Sequence, residues 1–398
     1  MTIRHTRRVF LSAATMMAAA LAATACGSPQ DTASGGGDAA PVKVGLVYSQ
    51  SGPLASYGKQ YIDGFKAGLD YATKGTGKVG DRKIELTEVD DAGDPAKAVS
   101  AAKDLIGKGT KIIAGSTASG VALQVAPIAA QNKVLFISGP AATDGVTGAN
   151  KYTFRSGRQS YQDVVTAKSF IGDAKGKKVV VFAQQGAFGD ANEAAVKAVI
   201  GGAGATVSSV RAPASATEFT PFASQIKAAK PDLLFVAWAG TTAPAMWQTL
   251  DQQGVLASTT VVTGLDIRAS WPTFGAAGSK ISFLSHYFDG ASDTEAAKAL
   301  KAKVGTLDLF HPDGFAAAQM VVRAVQEGGD DVDKMVKALE GWQFDGVKGK
   351  MTIRAEDHAL LQPMYQAKLT GSGTAFTAAA EKTLTGEETA PPVTQMKG

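Results

Sequence analysis

Residues Lys111–Thr143, KIIAGSTASGVALQVAPIAAQNKVLFISGPAAT, read as strand, polar loop, helix, strand and polar loop. Lys111–Ala114 carries two isoleucines before Gly115 breaks the run. Ser116, Thr117 and Ser119 follow, and then Val121, Val125 and Ile128 recur at helical spacing. Val134–Ile137 is a second short apolar run, and Ser138–Thr143 a second polar loop. Strands of a parallel sheet end on one side, so loops of this kind converge at the sheet's carboxyl edge. A helix opened by hydroxyls offers free backbone N–H groups and the positive end of its dipole, a seat for a carboxylate. The same hydroxyls can instead serve only as helix caps.

The alternation continues on both sides of this stretch. Val42–Tyr48 reads as a buried strand, Ser49–Tyr57 as a loop with a Gly52-Pro53 turn, and Tyr61, Phe65, Leu69 and Ala72 mark one helix face. Lys83–Val89 alternates as a strand, Asp94-Pro95 opens a helix, and Tyr152–Arg155 closes the block. A second block offers strands at Lys178–Ala183, Ala205–Arg211, Asp232–Trp238 and Thr259–Thr263, with helices at Gly189–Ile200, Glu218–Ala229 and Ala243–Gln253. Beyond Ile281–Tyr287 the chain turns helical at Thr294–Val304, Asp313–Glu327 and Val332–Leu339, and ends in strand-like Lys350–Ile353 and Met364–Leu369 and a polar tail. Two such blocks predict an α/β protein of two doubly wound, Rossmann-like lobes. The late helices are expected to return to the first lobe, so the chain crosses three times, near Ser156, Phe288 and Met364. The expected partition is 42–156 plus 289–363, 157–288 plus 364–385, and a tail at 386–398. A hinged cleft between lobes is a natural ligand site.

Of 398 residues, 40 are basic and 36 acidic, but residues 1–25 hold three arginines and no acid, leaving a nearly neutral body. No basic stripe appears, which argues against nucleic acid as a partner. Arg4, Arg7 and Arg8 precede the short apolar segment Val9–Ala25, the architecture of a signal peptide over 1–25. Ala23-Thr24-Ala25-Cys26 resembles a lipoprotein cleavage box, with Cys26, the single cysteine, as the lipidated residue. Leucine is usual three places before that cysteine, where Ala23 stands. Thr6–Leu11 also resembles a twin-arginine export motif, while a general secretory signal explains Arg7 and Arg8 as well. Residues 26–41, rich in Gly, Ser and Asp, read as a flexible tether holding a monomeric body outside the cytoplasmic membrane.

Enzymatic and cofactor readings find no support. Gly172–Lys177 has the wrong glycine spacing for a phosphate loop and precedes a strand rather than following one. No G-x-G-x-x-G follows Val42–Tyr48, and neither Ser119 nor Ser138 sits in a nucleophile elbow. The four histidines stand far apart, and Asp90–Asp94 lacks the spacing of a calcium loop, so helix capping explains it better. No catalytic residue, cofactor or metal is expected.

The chain resembles the type I periplasmic binding proteins of ABC importers, the group that includes the leucine/isoleucine/valine-binding proteins. The likeness is carried by Val44-Gly-Leu-Val-Tyr-Ser-Gln-Ser-Gly-Pro-Leu-Ala-Ser-Tyr-Gly58, Asp90-Asp-Ala-Gly-Asp-Pro95, Ala126-Pro127, Phe136-Ile-Ser138, Ala141-Ala-Thr143 and Thr263-Gly-Leu-Asp266, and spans Val42 to Leu369. The resemblance implies a substrate carboxylate held by Ser119 and Thr143 beside the backbone at Ala141, and an ammonium taken by Asp266. It also implies that Tyr57 lines the cleft from the first lobe, with Phe188 and Trp238 as aromatic walls of the second. The implied function is an importer receptor for a small carboxylate solute, an apolar amino acid first of all, with permease subunits as its membrane partners. This chain departs from the family pattern. An extra residue lies within Gly139-Pro140, Asp266 replaces a glutamate, Arg268 stands near enough to neutralise it, and Phe188 and Thr242 replace tyrosines. Those departures leave open an aromatic or other non-amine acid, and the same fold can also serve as a ligand sensor.

Overall fold

A computed structural model describes residues 40–372 and 375–397. The signal segment, Cys26 and all but the end of the tether lie outside the described residues.

In the first lobe, β1 (Val42–Tyr48), β2 (Lys78–Val79), β3 (Arg82–Asp90), β4 (Ile112–Gly115), β5 (Leu135–Ser138) and β6 (Thr153–Arg155) form one sheet, ordered β2-β3-β1-β4-β5-β6. All neighbours are parallel except β2 and β3. The continuous apolar runs found in the sequence follow from this, because helices bury both faces of a parallel sheet. Helices α1 (Ala55–Ala72), α2 (Pro95–Gly107) and α3 (Ser119–Asn132) supply part of that cover. Asp94 opens α2 as read, its side chain accepting from the N–H groups of Ala96 and Lys97 at 2.8 and 3.0 Å.

The second lobe holds β7 (Lys178–Gln184), β8 (Thr206–Ala212), β9 (Leu233–Ala237), β10 (Thr260–Gly264) and β11 (Ile281–Ser285), with α4 (Ser160–Lys168), α5 (Ala187–Val196), α6 (Thr220–Ala229), α7 (Ala243–Gln252) and α8 (Val255–Ser258). Helices α9 (Glu295–Val304), α10 (His311–Gly328) and α11 (Val332–Leu339) return to the first lobe. There α10 packs on α1 at backbone contact distance. A Cβ on Gly64 would lie 2.0 Å from the His311 carbonyl oxygen, and one on Gly314 would lie 1.9 Å from that of Tyr61. A small sheet of β12 (Gln343–Gly346), β13 (Gly349–Ile353) and β14 (Leu360–Leu361) follows.

The chain then crosses back, and β15 (Met364–Ser372) and β16 (Ala375–Leu384) extend the second sheet to the order β16-β15-β11-β10-β9-β7-β8. Strand β16 was not legible as a strand. Its residues are mostly exposed and small, and antiparallel pairing with β15 is what holds it. The polar tail is docked on the body of the protein. Arg354 donates to the Pro391 carbonyl at 2.8 Å, the Thr394 N–H donates to Asp357 at 2.9 Å, and the Lys397 N–H donates to the Gly148 carbonyl at 3.0 Å. Since β16 belongs to the second sheet and Gly148 to the first lobe, this segment is a further strap between lobes.

Candidate functional site

Each sheet reverses its strand order once. The first does so between β1 and β4, the second between β7 and β9. Loops leaving adjacent strands at such a point diverge and open a crevice at the carboxyl edge. The two crevices face each other, and the cleft between them measures about 480 Å³.

The first-lobe wall begins at α3. Gly115 ends β4 at φ +127, where a Cβ would come within 2.1 Å of the Val47 carbonyl oxygen, and Ser116 follows in the left-handed region at φ 67. This sharp turn aims the start of α3 at the cleft. The hydroxyls do not cap the helix. Ala118 stands at the cap position and no side chain bonds there. The Thr117 hydroxyl accepts instead from the Ser49 N–H at 3.2 Å, and Ser116 bonds Ser138 at 3.0 Å. The first turn of a helix has no internal acceptor for its N–H groups, so an uncapped start is open to an anion. Thr117, Ala118, Ser119 and Gly120 all line the cleft there.

Tyr57, Ser119, Phe188, Trp238 and Asp266 come together around the cleft, as the resemblance implies. Ala141 and Thr143 lie one layer behind it, and Pro140 and Ala142 line it in their place. The Thr143 hydroxyl accepts from the Gly145 N–H at 3.2 Å, closing a short turn. Arg155, wholly buried, takes the carbonyls of Ala141 and Thr143 at 2.9 and 3.2 Å. Phe188 lies in the first turn of α5, and Trp238 follows β9 with its Nε1–H donated to Thr242 at 3.0 Å.

At the opposite pole stands Asp266. Its partner is not Arg268, whose guanidinium lies over the Trp271 ring at 5.8 Å. The Tyr57 hydroxyl donates to Asp266 across the lobes at 2.6 Å, and the Ile267 N–H donates at 2.7 Å. Burial pushes the Asp266 carboxyl above its ordinary range, against the pull of these bonds, and the same burial beside Asp266 pushes the Tyr57 phenol up.

Arg158 and Asp163 also line the cleft and escaped the sequence reading, and His286, set aside there with the other histidines, lines it as well. The Arg158 Nε lies 3.3 Å from Asp163, and its Nη1 donates to the Pro140 carbonyl at 2.8 Å. Burial raises the Asp163 carboxyl to about 6 and holds His286 well below the usual imidazole range. The available signal was two arginines, Arg155 and Arg158, in a crossing segment that could not be solvent-exposed. Among the described residues no group of acids, histidines or cysteines could hold a metal ion.

Two lobes clasping a cleft at their switch points, with an uncapped helix start at one pole and an acid at the other, define a type I solute-binding protein of the kind that serves ABC transporters. The chain belongs to the periplasmic binding protein family, whose model matches residues 41–375. It is 28% identical over 322 residues to the Leu/Ile/Val-binding protein BraC3 of Rhizobium johnstonii, covering 79% of this chain and 87% of that one. A crystal structure from Rhodopseudomonas palustris, described as an ABC-type branched-chain amino acid transporter, superposes with a TM-score of 0.73 at 32% identity. That match covers 89% of this chain and all of that one. A solute-binding protein of R. palustris in complex with 4-hydroxybenzoate superposes at 0.79 over 87% of this chain and 97% of its own, at 23% identity, a likeness of fold.

Proposed function

We propose that this protein is the extracytoplasmic receptor of an ABC importer for a small apolar amino acid. The observation that carries the reading is the pairing of poles in one cleft: the uncapped start of α3 for a carboxylate, and Asp266 for an ammonium. Between them Phe188, Trp238 and Leu265 offer an apolar wall for a side chain. The names of its relatives from Rhizobium and Rhodopseudomonas support a branched-chain amino acid. A ligand touching both lobes shifts the population toward the closed form, and the permease reads that form. The sequence supports lipid attachment at Cys26 and a monomer standing off the membrane on its tether. No helix among the described residues is long and apolar enough to cross a membrane.

One observation favours a second reading. The Asp266 oxygen that faces Tyr57 already accepts from two donors, and Phe188 offers no phenol, so a carboxylic acid without an amine, such as an aromatic acid, also suits the cleft. Calorimetry with leucine, isoleucine, valine, benzoate and 4-hydroxybenzoate separates the two. Heat from the amino acids alone supports the first reading, heat from the aromatic acids alone supports the second, and heat from none leaves only the fold.

A further inference from the structure

Arg158 sits where the first crossing enters the second lobe, and only 12% of its side chain is exposed. Of its five donors, one is spent on the Pro140 carbonyl. The Nε faces Asp163 at 3.3 Å without forming a hydrogen bond, and Asp163 Oδ1 is likewise buried without a partner. His286 Nε2, a third such atom, is turned to Asp313 Oδ2 at 3.7 Å on the hinge side. Buried polar atoms are normally satisfied, so the two left open on Arg158 and Asp163, both lining the cleft, mark a place where a polar group of a solute, or its water, belongs. The guanidinium is also tied to the anion seat. The loop carrying Pro140 is bonded at Gly139 to the Gly115 carbonyl at 2.5 Å, and at Ala141 to the Ser116 carbonyl at 3.2 Å, the two residues that launch the turn into α3. Burial raises both Tyr57 and Asp266 at the other pole, and the positive charge of Arg158 offsets a small part of that rise.

We propose that Arg158 is a specificity-determining residue: its guanidinium supplies the full charge that makes the cleft select a carboxylate over a neutral head of the same shape, with Asp163 holding the fork in place. This rests on the reading that the cleft binds a carboxylate solute. A helix start contributes only partial charge, and a carboxylate entering a closed cleft loses its water, so a fixed cation beside the seat decides between acid and amide. Burial near Pro140 and Phe310, whose ring lies 5.8 Å from the guanidinium carbon, keeps that charge from being screened.

The alternative is that Arg158 merely pins the Pro140 loop, a task that any donor of similar reach performs. Calorimetry with leucine, 4-methyl-2-oxopentanoate and leucinamide on the full chain separates the two. Wild type should bind whichever carboxylate it accepts about 100-fold or more above leucinamide. Arg158→Gln should lose about 100-fold for that carboxylate, and Arg158→Lys about tenfold or less, because charge rather than a planar donor is what counts. If the single neutral variant fails to fold, R158Q with D163N removes the buried pair whole and should still lose about tenfold, less than R158Q because no unpaired Asp163 repels the carboxylate. Equal affinities for Gln and Lys variants, or leucinamide binding as well as leucine, would overturn the role of Arg158. Wild type binding neither of these carboxylates, nor benzoate nor 4-hydroxybenzoate, would defeat the receptor reading itself, and the proposal with it.

Discussion

The lobes meet through two polar regions of opposite character. On the hinge side, Lys348 and Asp313 form a fully buried pair at 3.3 Å, Lys348 also bonds Gln362 at 2.7 Å, and His286 lies 3.7 Å from Asp313. Several atoms there, among them Asp313 Oδ2 and Gln362 Nε2, have no partner. On the mouth side, Tyr57 reaches Asp266, and Asp308 accepts from the Arg268 N–H at 3.0 Å, from Gln60 at 2.6 Å and from the Leu309 N–H at 2.8 Å. The mouth is fully bonded, yet each of its interlobe bonds can be handed to water when the lobes part. The hinge cannot be rehydrated without unfolding. A buried pair with loose ends is therefore a fold determinant, and a satisfied pair at a water-facing seam is a latch.

Four experiments test that contrast. Lys348→Met strands Asp313 and should lower stability to urea by about 3–5 kcal/mol. A loss below about 1 kcal/mol would show that the hinge pair is dispensable. At the mouth, Asp266→Asn should weaken leucine by about 2–5 kcal/mol and leave benzoate within about threefold. Equal loss for both would make Asp266 a latch residue only.

His311 offers a pH test of the mouth. Its Nδ1 accepts from the Asp308 N–H at 2.9 Å, and burial lowers its pKa from 6.5 to about 4. The folded state thus resists a proton that the unfolded chain takes up. The contribution is full above about 6.5 and is lost as pH falls through that window to about 4, at most about 3 kcal/mol. Asp308, raised to about 6 by burial, acts with the opposite sign, so the informative quantity is the difference between proteins. His311→Gln should flatten the urea midpoint between pH 6.5 and 4, and parallel curves for the two proteins would reject the assignment. The smallest effect is expected from Asp308→Ala, about 1 kcal/mol in ligand affinity, because one charge-assisted latch is removed from outside the cleft lining. Small-angle scattering should show its unliganded form more open, and unchanged scattering with unchanged affinity would mean that Asp308 has no part in closure.

Much of the scaffold was legible because local physics writes it. The apolar runs at Val42–Tyr48 and Val134–Ile137 could only be buried strands, and Asp94-Pro95 opens its helix as that pair does anywhere. The polar turn before Ser119 was visible for the same reason, although its hydroxyls turned to neighbouring loops rather than to the helix start. Tyr57 and Asp266 came from the family resemblance rather than from the pattern, whereas Phe188 and Trp238 also stand just beyond the ends of β7 and β9.

The sequence by itself therefore determined the alternation of strands and helices, the two lobes and the edge at which their loops gather. Tertiary structure alone decided which loop atoms face the gap. Thr143 and Ala141 turned to Arg155 because a buried guanidinium demands carbonyls wherever they lie, and Arg158 entered the cleft wall because the crossing chain carries it there. Tyr57 and Asp266, 209 positions apart, met across the lobes, and so did the docked tail and Gly148. Local spacing sets a side chain's face, but the partner that satisfies a buried charge is chosen by proximity in space, which the linear order of residues does not encode.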